Sequence, residues 1–424
     1  MNYQTLKNYL LSADADEKIR PVVLKDDLTE EKNRYLSLLE EAYNTFGDGD
    51  YCFISSPGRS EIGGNHTDHQ HGHVVACALN IDKLAIVKKN DDLKCTFKDQ
   101  ISTISVDLSS LDKKDEEKNT SMALIRGIAY RLKELGYNYG GFSAICDSRV
   151  AIGSGISSSA SFEVMIVEIF NSLFNGDAVN PVDRAIISQW AENNYFGKPC
   201  GLMDQMAISV GGFIAIDFKD PNEPVIDNYE FSFSDYGYEM VLVNTKGDHS
   251  DLSHEYAAVT KEIKDVAHEL NVEYLRDSSM DELLKIIKEY RSNGGNDRGI
   301  LRSIHFFTED KRAVLEKEAI KNKDINKLIN LMNESGRSSF EYLQNVYPAS
   351  RAHSQSLAIG LALSDYYLKG KGAFRVHGGG FEGTIQVVMP KDMLQGYEEL
   401  MSGIFGDDAV MKVKVRSFGT AKVM

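Results

Sequence analysis

Residues 153–161 read Gly-Ser-Gly-Ile-Ser-Ser-Ser-Ala-Ser. A strand-like run, 142–146, precedes them. An apolar pattern at helical spacing follows: Phe162, Met165, Ile166, Ile169, Phe170 and Leu173. A Gly-Ser loop that opens a helix aims backbone N–H groups and hydroxyls at one spot, and the helix dipole adds to them. That arrangement suits a phosphate. A serine-capped helix after a sharp turn has the same composition, so the loop alone leaves both readings open. The chain has no G-x-x-x-x-G-K-[ST], no H-R-D and no D-F-G. It is therefore neither a P-loop protein nor a protein kinase.

Three more segments concentrate reactive side chains. Residues 57–69, Pro-Gly-Arg-Ser-Glu-Ile-Gly-Gly-Asn-His-Thr-Asp-His, read as a loop gathering polar groups for a small hydroxylated ligand. A metal is the alternative, through His66, His69, His71 and His73, but their spacing is no standard zinc pattern. In 197–205, Gly-Lys-Pro-Cys-Gly-Leu-Met-Asp-Gln, Asp204 stands where a helix begins. It reads as a helix cap or as a carboxylate beside a reacting hydroxyl. Residues 376–384, Val-His-Gly-Gly-Gly-Phe-Glu-Gly-Thr, imply a tight turn or a close backbone approach.

The elements that must position these groups follow from pattern. A helix is expected over 28–46, opened by an Asp27/Glu30 capping box. Strands are expected at 51–55 and 74–88, and helices at 121–135 and 181–195. A strand at 212–218 precedes a stretch, 219–237, that contains Pro221 and Pro224 and marks the expected domain boundary. A strand at 238–244, charged helices over 253–345 and a glycine loop leading into a strand over 374–390 complete the second half. The expectation is an α+β fold with an N-terminal lobe, 1–218, and a C-terminal lobe, 219–424.

The 424 residues suffice for two or three domains. Acidic residues exceed basic ones by 16, which argues against nucleic acid or anionic membranes as main partners. Five scattered cysteines with no C-x-x-C suggest reduced thiols. Residues 1–20 carry no signal-peptide core, and no apolar run approaches membrane-spanning length. These features lead us to expect a cytoplasmic protein.

Together the four segments resemble, in order and rough spacing, the signatures of the galactokinase branch of the GHMP small-molecule kinases. Residues 57–69 resemble P-G-R-x-x-x-x-G-E-H-T-D-Y, and the serine loop resembles G-x-G-L-S-S-S-A-S. Residues 197–205 resemble G-x-P-C-G-x-M-D-Q, and the last segment resembles G-G-G-F-G-G. Further similarity runs through 244–256 and 331–339. The resemblance implies a two-lobed kinase with its site in the interlobe cleft, acting on a sugar's anomeric hydroxyl. ATP and Mg²⁺ would be its cofactors, and the chain would be a monomer or weak oligomer.

By that resemblance Asp204 is the catalytic aspartate and Arg59 its partner. Gly153, Ser154, Gly155, Ser157, Ser158, Ser159 and Ala160 cradle the nucleotide phosphates. Ser158 or Ser159 reaches Mg²⁺, with Glu192 as the second ligand. Asp68 reads the sugar ring hydroxyls, His66 and Tyr256 add contacts, and the Gly201 backbone lies alongside. Asn65 replaces a glutamate that faces the far end of the sugar, near O6. His69 replaces a tyrosine, and Glu382 replaces a glycine, so its side chain must turn away from the phosphates. Loss of the carboxylate at Asn65 makes galacturonate an alternative to galactose, and another galactose-related sugar is a further alternative. A non-catalytic sugar sensor is the other alternative, although such proteins carry a damaged serine motif and this one is complete.

Overall fold

The computed structural model describes residues 1–150, 155–247 and 252–424. Gly153 and Ser154, expected at the phosphate site, lie outside these residues. So do 248–251 of the stretch 244–256.

Two sheets organise this α+β fold. In the larger sheet, strand Ala421–Lys422 is followed by Tyr51–Gly63, His73–Lys89, Phe142–Ser148, Lys94–Lys98 and Thr103–Asp107. Strand Phe213–Asp217 also pairs with His73–Lys89, and it carries Val225–Tyr229 on its outer side. The smaller sheet runs Val410–Val413, Tyr238–Asn244, Thr384–Pro390, Ala373–Val376, with every pairing antiparallel.

The serine helix, Ser158–Phe174, explains why its loop stays in place. Phe162, Met165, Ile166, Ile169 and Phe170 pack on Phe97 and Phe142 of the larger sheet. Val164 and Ala160 pack on Ile208 at its other side. A helix apolar around most of its circumference belongs inside a core. The Phe97 and Phe162 rings meet edge to face, with centroids 5.1 Å apart. The helix is thus fixed by burial, and its first turn can be spent on something other than stability.

Several expectations differ from the structure. Residues 57–63 are the second half of a 13-residue strand, Tyr51–Gly63, not a loop. Prolines and glycines hid it, yet two register shifts against His73–Lys89 accommodate them. Two helices, Tyr3–Leu11 and Asp14–Val23, precede the expected one at Thr29–Phe46. The N-cap is Leu28, with no side-chain cap bond; Asp27, one residue before it, accepts from the Thr29 amide at 2.9 Å, and Glu30 turns to Lys25 and Arg149, so the expected capping box does not form. Helix Pro181–Ala191 continues into a wider π-helical turn, Glu192–Phe196. Such turns are frequent at functional sites, and this one starts at Glu192.

Met165 is fully buried in the face that fixes the serine helix. Met165→Ala removes its contacts and leaves a cavity, so unfolding in urea will show a loss of about 2–5 kcal/mol.

Candidate active site

Arg59 follows the first register shift of its strand. Its side chain is buried. Nε donates to Asp204 Oδ1 at 2.7 Å, and Nη2 donates to Asp204 Oδ2 at 3.0 Å. Nη1 donates to the Gly155 carbonyl at 2.6 Å. Asp204 sits in the first turn of helix Met203–Val210, where the dipole favours a carboxylate. Burial alone would raise its pKa. The Arg59 charge and hydrogen bonds, then the Ser157 hydroxyl and Lys198, outweigh burial and hold it below the usual carboxylate value.

Ser157 stands at the N-cap of the serine helix with φ +61°, and its hydroxyl makes no cap bond. It donates instead to Asp204 Oδ2. The serine loop, Arg59 and Asp204 therefore share one carboxylate. Ser158 and Ser159 open the helix and Ala160 lies buried behind them. Neither of these two hydroxyls bonds Glu192.

Glu192 is buried beside a second carboxyl, Glu163 of the serine helix. Gln205 joins them, its Nε2 donating to Glu192 Oε2 at 2.9 Å and to Glu163 Oε2 at 3.0 Å. Burial, then repulsion from Glu192, pushes the Glu163 carboxyl well above the usual range. Lys198 Nζ lies 3.5 Å from Glu192 Oε1. Nothing in the sequence marked Glu163 or Lys198, because neither falls on a fixed motif letter.

On the opposite side, Asp68 lies against Gly201. A Cβ at residue 201 would overlap its carboxylate, so only glycine permits this approach. His66 Nε2 donates to the Gly379 carbonyl at 3.0 Å, and the Tyr256 hydroxyl donates to the Gly380 carbonyl at 3.1 Å. Burial, then His69, pulls the His66 ring down to about 4, so it is neutral near pH 7. The four histidines do not converge on a metal. His66 and His69 stack, His71 lies on the Tyr274 ring, and His73 sits between Asp217 and Asp310.

Asn65 is fully buried and its amide is used to capacity. Its Nδ2 donates to the Gly378 carbonyl at 2.7 Å and to Glu61 at 3.1 Å. Its Oδ1 accepts from Asn345 at 2.8 Å and from Ser339 at 3.1 Å. An amide has two hydrogens and two lone pairs, so none remains for a ligand. Asn65 ties the sequence segments together, where a ligand contact was expected. Glu382 turns toward Ser354 and Ser356, accepting at 3.3 and 2.7 Å.

Beyond the motifs, Glu61 pairs with Arg375 at 2.6 Å, across 314 residues of chain. Glu309 accepts from the Gly64 amide at 3.0 Å and from Ser335. These partners carry no local signal, since periodicity is silent about contacts so distant in sequence.

Two family descriptions match the chain. "GHMP kinases N terminal domain" covers residues 123–212, and "Galactokinase galactose-binding signature" covers 41–89. Over these residues the chain resembles the galactokinases of the GHMP kinase group. A galactokinase from Clostridium acetobutylicum is 29% identical over 86% of this kinase and 92% of the relative. Another from Clostridium tetani is 27% identical over 86% and 91%. The crystal structure of Lactococcus lactis galactokinase complexed with galactose superposes with a TM-score of 0.78 and 22% identity, covering 92% of this kinase and all of that chain. Methanococcus jannaschii mevalonate kinase follows the same fold with a TM-score of 0.61 and 12% identity, over 87% and 99% of the two chains. Among the described residues, no helix is long and apolar enough to cross a membrane.

Glu61 yields a pH prediction. Burial, only partly offset by Arg375, raises its carboxyl from 4.5 to about 7. The folded chain then binds this proton more tightly than the unfolded chain. The stabilisation is complete below about pH 4.5 and is lost as pH rises through 7. Between pH 5.5 and 8 the loss is about 2 kcal/mol. Urea unfolding at both pH values, compared with Glu61→Gln, will show that component missing from the variant.

Proposed function

We propose that this kinase transfers the terminal phosphoryl group of ATP to the anomeric hydroxyl of galactose, with Mg²⁺. The observation that supports this most is the single carboxylate of Asp204, held by Arg59 and reached by Ser157 of the serine loop. A group held ionised beside a phosphate loop is placed to orient a sugar hydroxyl and accept its proton as the new bond forms. A loose phosphoryl-transfer transition state needs alignment and charge compensation more than a strong base. Arg59 supplies a fixed guanidinium for both the carboxylate and the developing charge. Asp68, against the Gly201 backbone, would accept from ring hydroxyls in charge-assisted bonds.

The donor set fits Mg²⁺. Glu192 supplies a buried carboxylate, with the Glu163 carboxyl, held well above the usual range, and Lys198 Nζ beside it. Glu192 and a serine hydroxyl from Ser158 or Ser159 would hold the ion, with phosphate and water oxygens completing its shell. When bound, Mg²⁺ neutralises the charge that accumulates on the phosphate oxygens. Gln205 keeps the Glu192 carboxylate oriented, and Lys198 balances part of its charge. The galacturonate alternative rested on Asn65 facing the sugar. With that amide spent internally, galactose is the better reading.

A coupled assay over galactose, galacturonate and N-acetylgalactosamine is expected to give fastest turnover with galactose. Robust turnover of galacturonate with none of galactose would overturn this. Asp204→Asn is expected to lower kcat by about 10²–10⁴-fold while galactose still binds in calorimetry.

A further inference from the structure

His377 ends the run from strand Ala373–Val376 into the glycine loop, and its ring is 2% exposed. Its Nδ1 lies 3.2 Å from Ser60 Oγ. Gln386 Nε2 donates to the Glu61 carbonyl at 3.0 Å and to Ser60 Oγ at 2.6 Å. A carbonyl only accepts, so it fixes which end of the Gln386 amide faces Ser60. Ser60 Oγ then receives the Gln386 hydrogen and directs its own to His377 Nδ1. A neutral imidazole that accepts at Nδ1 carries its hydrogen on Nε2. Burial, then Arg59 and Arg375, holds this ring well below the usual histidine value, so it stays neutral.

That Nε2–H has no partner among the described residues. A Cβ placed on Gly155 would lie 3.6 Å from it, so the nitrogen faces the serine loop where Arg59 Nη1 binds the Gly155 carbonyl. Leaving a buried donor unpaired costs about 1–3 kcal/mol, and native proteins rarely do so. A relay of two hydrogen bonds, from Gln386 to Ser60 and from Ser60 to His377, thus presents one oriented, uncharged donor beside Arg59.

We propose that His377 donates from Nε2 to a phosphoryl oxygen of the bound nucleotide, on the Arg59 side of the serine loop. This rests on the sugar-kinase reading above. A neutral donor adds direction where Arg59 already supplies charge. It also avoids a second cation that would compete with Arg59 for the Asp204 carboxylate.

The test compares His377→Gln, whose amide can place an N–H near the same point, with His377→Leu. His377→Leu is expected to lower kcat/KM for ATP by about 10²-fold, with galactose affinity in the absence of nucleotide unchanged within about twofold. His377→Gln is expected to recover to within about fivefold of wild type. Equal damage in both variants, or wild-type kcat/KM in His377→Leu, would overturn the proposal. Should His377→Leu fail to fold, ¹⁵N-histidine spectra of the wild-type kinase decide. The Nε2–H resonance must shift on addition of a non-hydrolysable ATP analogue, and an unchanged resonance refutes the contact. A wild-type protein that binds the analogue and shifts this resonance, yet phosphorylates no sugar, would sink the functional reading and leave this one standing.

Discussion

The buried pair of Arg59 and Asp204 is the interaction on which the site depends. Removing two charges from water is expensive, and their attraction repays it only when the remaining donors and acceptors are also used. Here they are. The third guanidinium nitrogen takes the Gly155 carbonyl, and the second carboxylate oxygen takes both Arg59 and Ser157. Satisfying this pair therefore binds a strand of the larger sheet, the serine loop and the helix Met203–Val210 into one rigid unit. The bulged strand is part of the same solution. Its two register shifts flank Arg59 and Glu61, which reach different partners, Asp204 and Arg375.

A second set of buried charges anchors the other side. Glu309, on helix Asp297–Lys321, accepts from the Gly64 amide, while Arg375 bonds Glu61 and the Ile62 carbonyl. The environment splits these carboxyls. Burial would raise Glu309, but His305, Arg312 and Arg375 pull it down to about 2. Glu61 rises to about 7, and Glu316, which has no hydrogen-bond partner among the described residues, is raised well above the usual range. A hydrogen bond from His305 to the Asn65 carbonyl at 2.8 Å then joins this helix to the turn carrying Asn65, His66 and Asp68. The turn is held by residues from the far half of the chain, so its geometry is a property of the whole fold.

That dependence sets what the sequence could reveal. The serine helix was legible because its apolar spacing is unbroken and its loop chemistry is local. Strand 238–244 and the helix from residue 121 were legible for the same reason. Arg59 and Asp204 stood out only through their motifs. The strand character of 57–63 was not legible, because Pro57, Gly58 and Gly63 are strand breakers that two bulges absorb. Asn65 was misjudged because a substitution in a motif invites comparison with the family's ligand contact. The structure shows its amide filled by Glu61, Gly378, Ser339 and Asn345, three of which lie more than 270 residues away. Glu163 was invisible, since one carboxylate on a buried helix has no pattern.

The histidines clarify how the site divides its labour. Burial pulls His66, His305 and His377 below the usual value in each case, so each is neutral near pH 7. Each neutral ring places its hydrogen by the partner on the other nitrogen or by an accepting carbonyl: Gly379 for His66, Asn65 for His305, and the Ser60 relay for His377. Positive charge comes instead from Arg59, Arg375 and Lys198. Direction and charge are thus carried by different side chains. Because His66, held at about 4, and His377, held well below the usual value, gain no proton between pH 6 and 8, their hydrogen-bond directions stay constant over that interval, whereas Glu61 loses its proton within it.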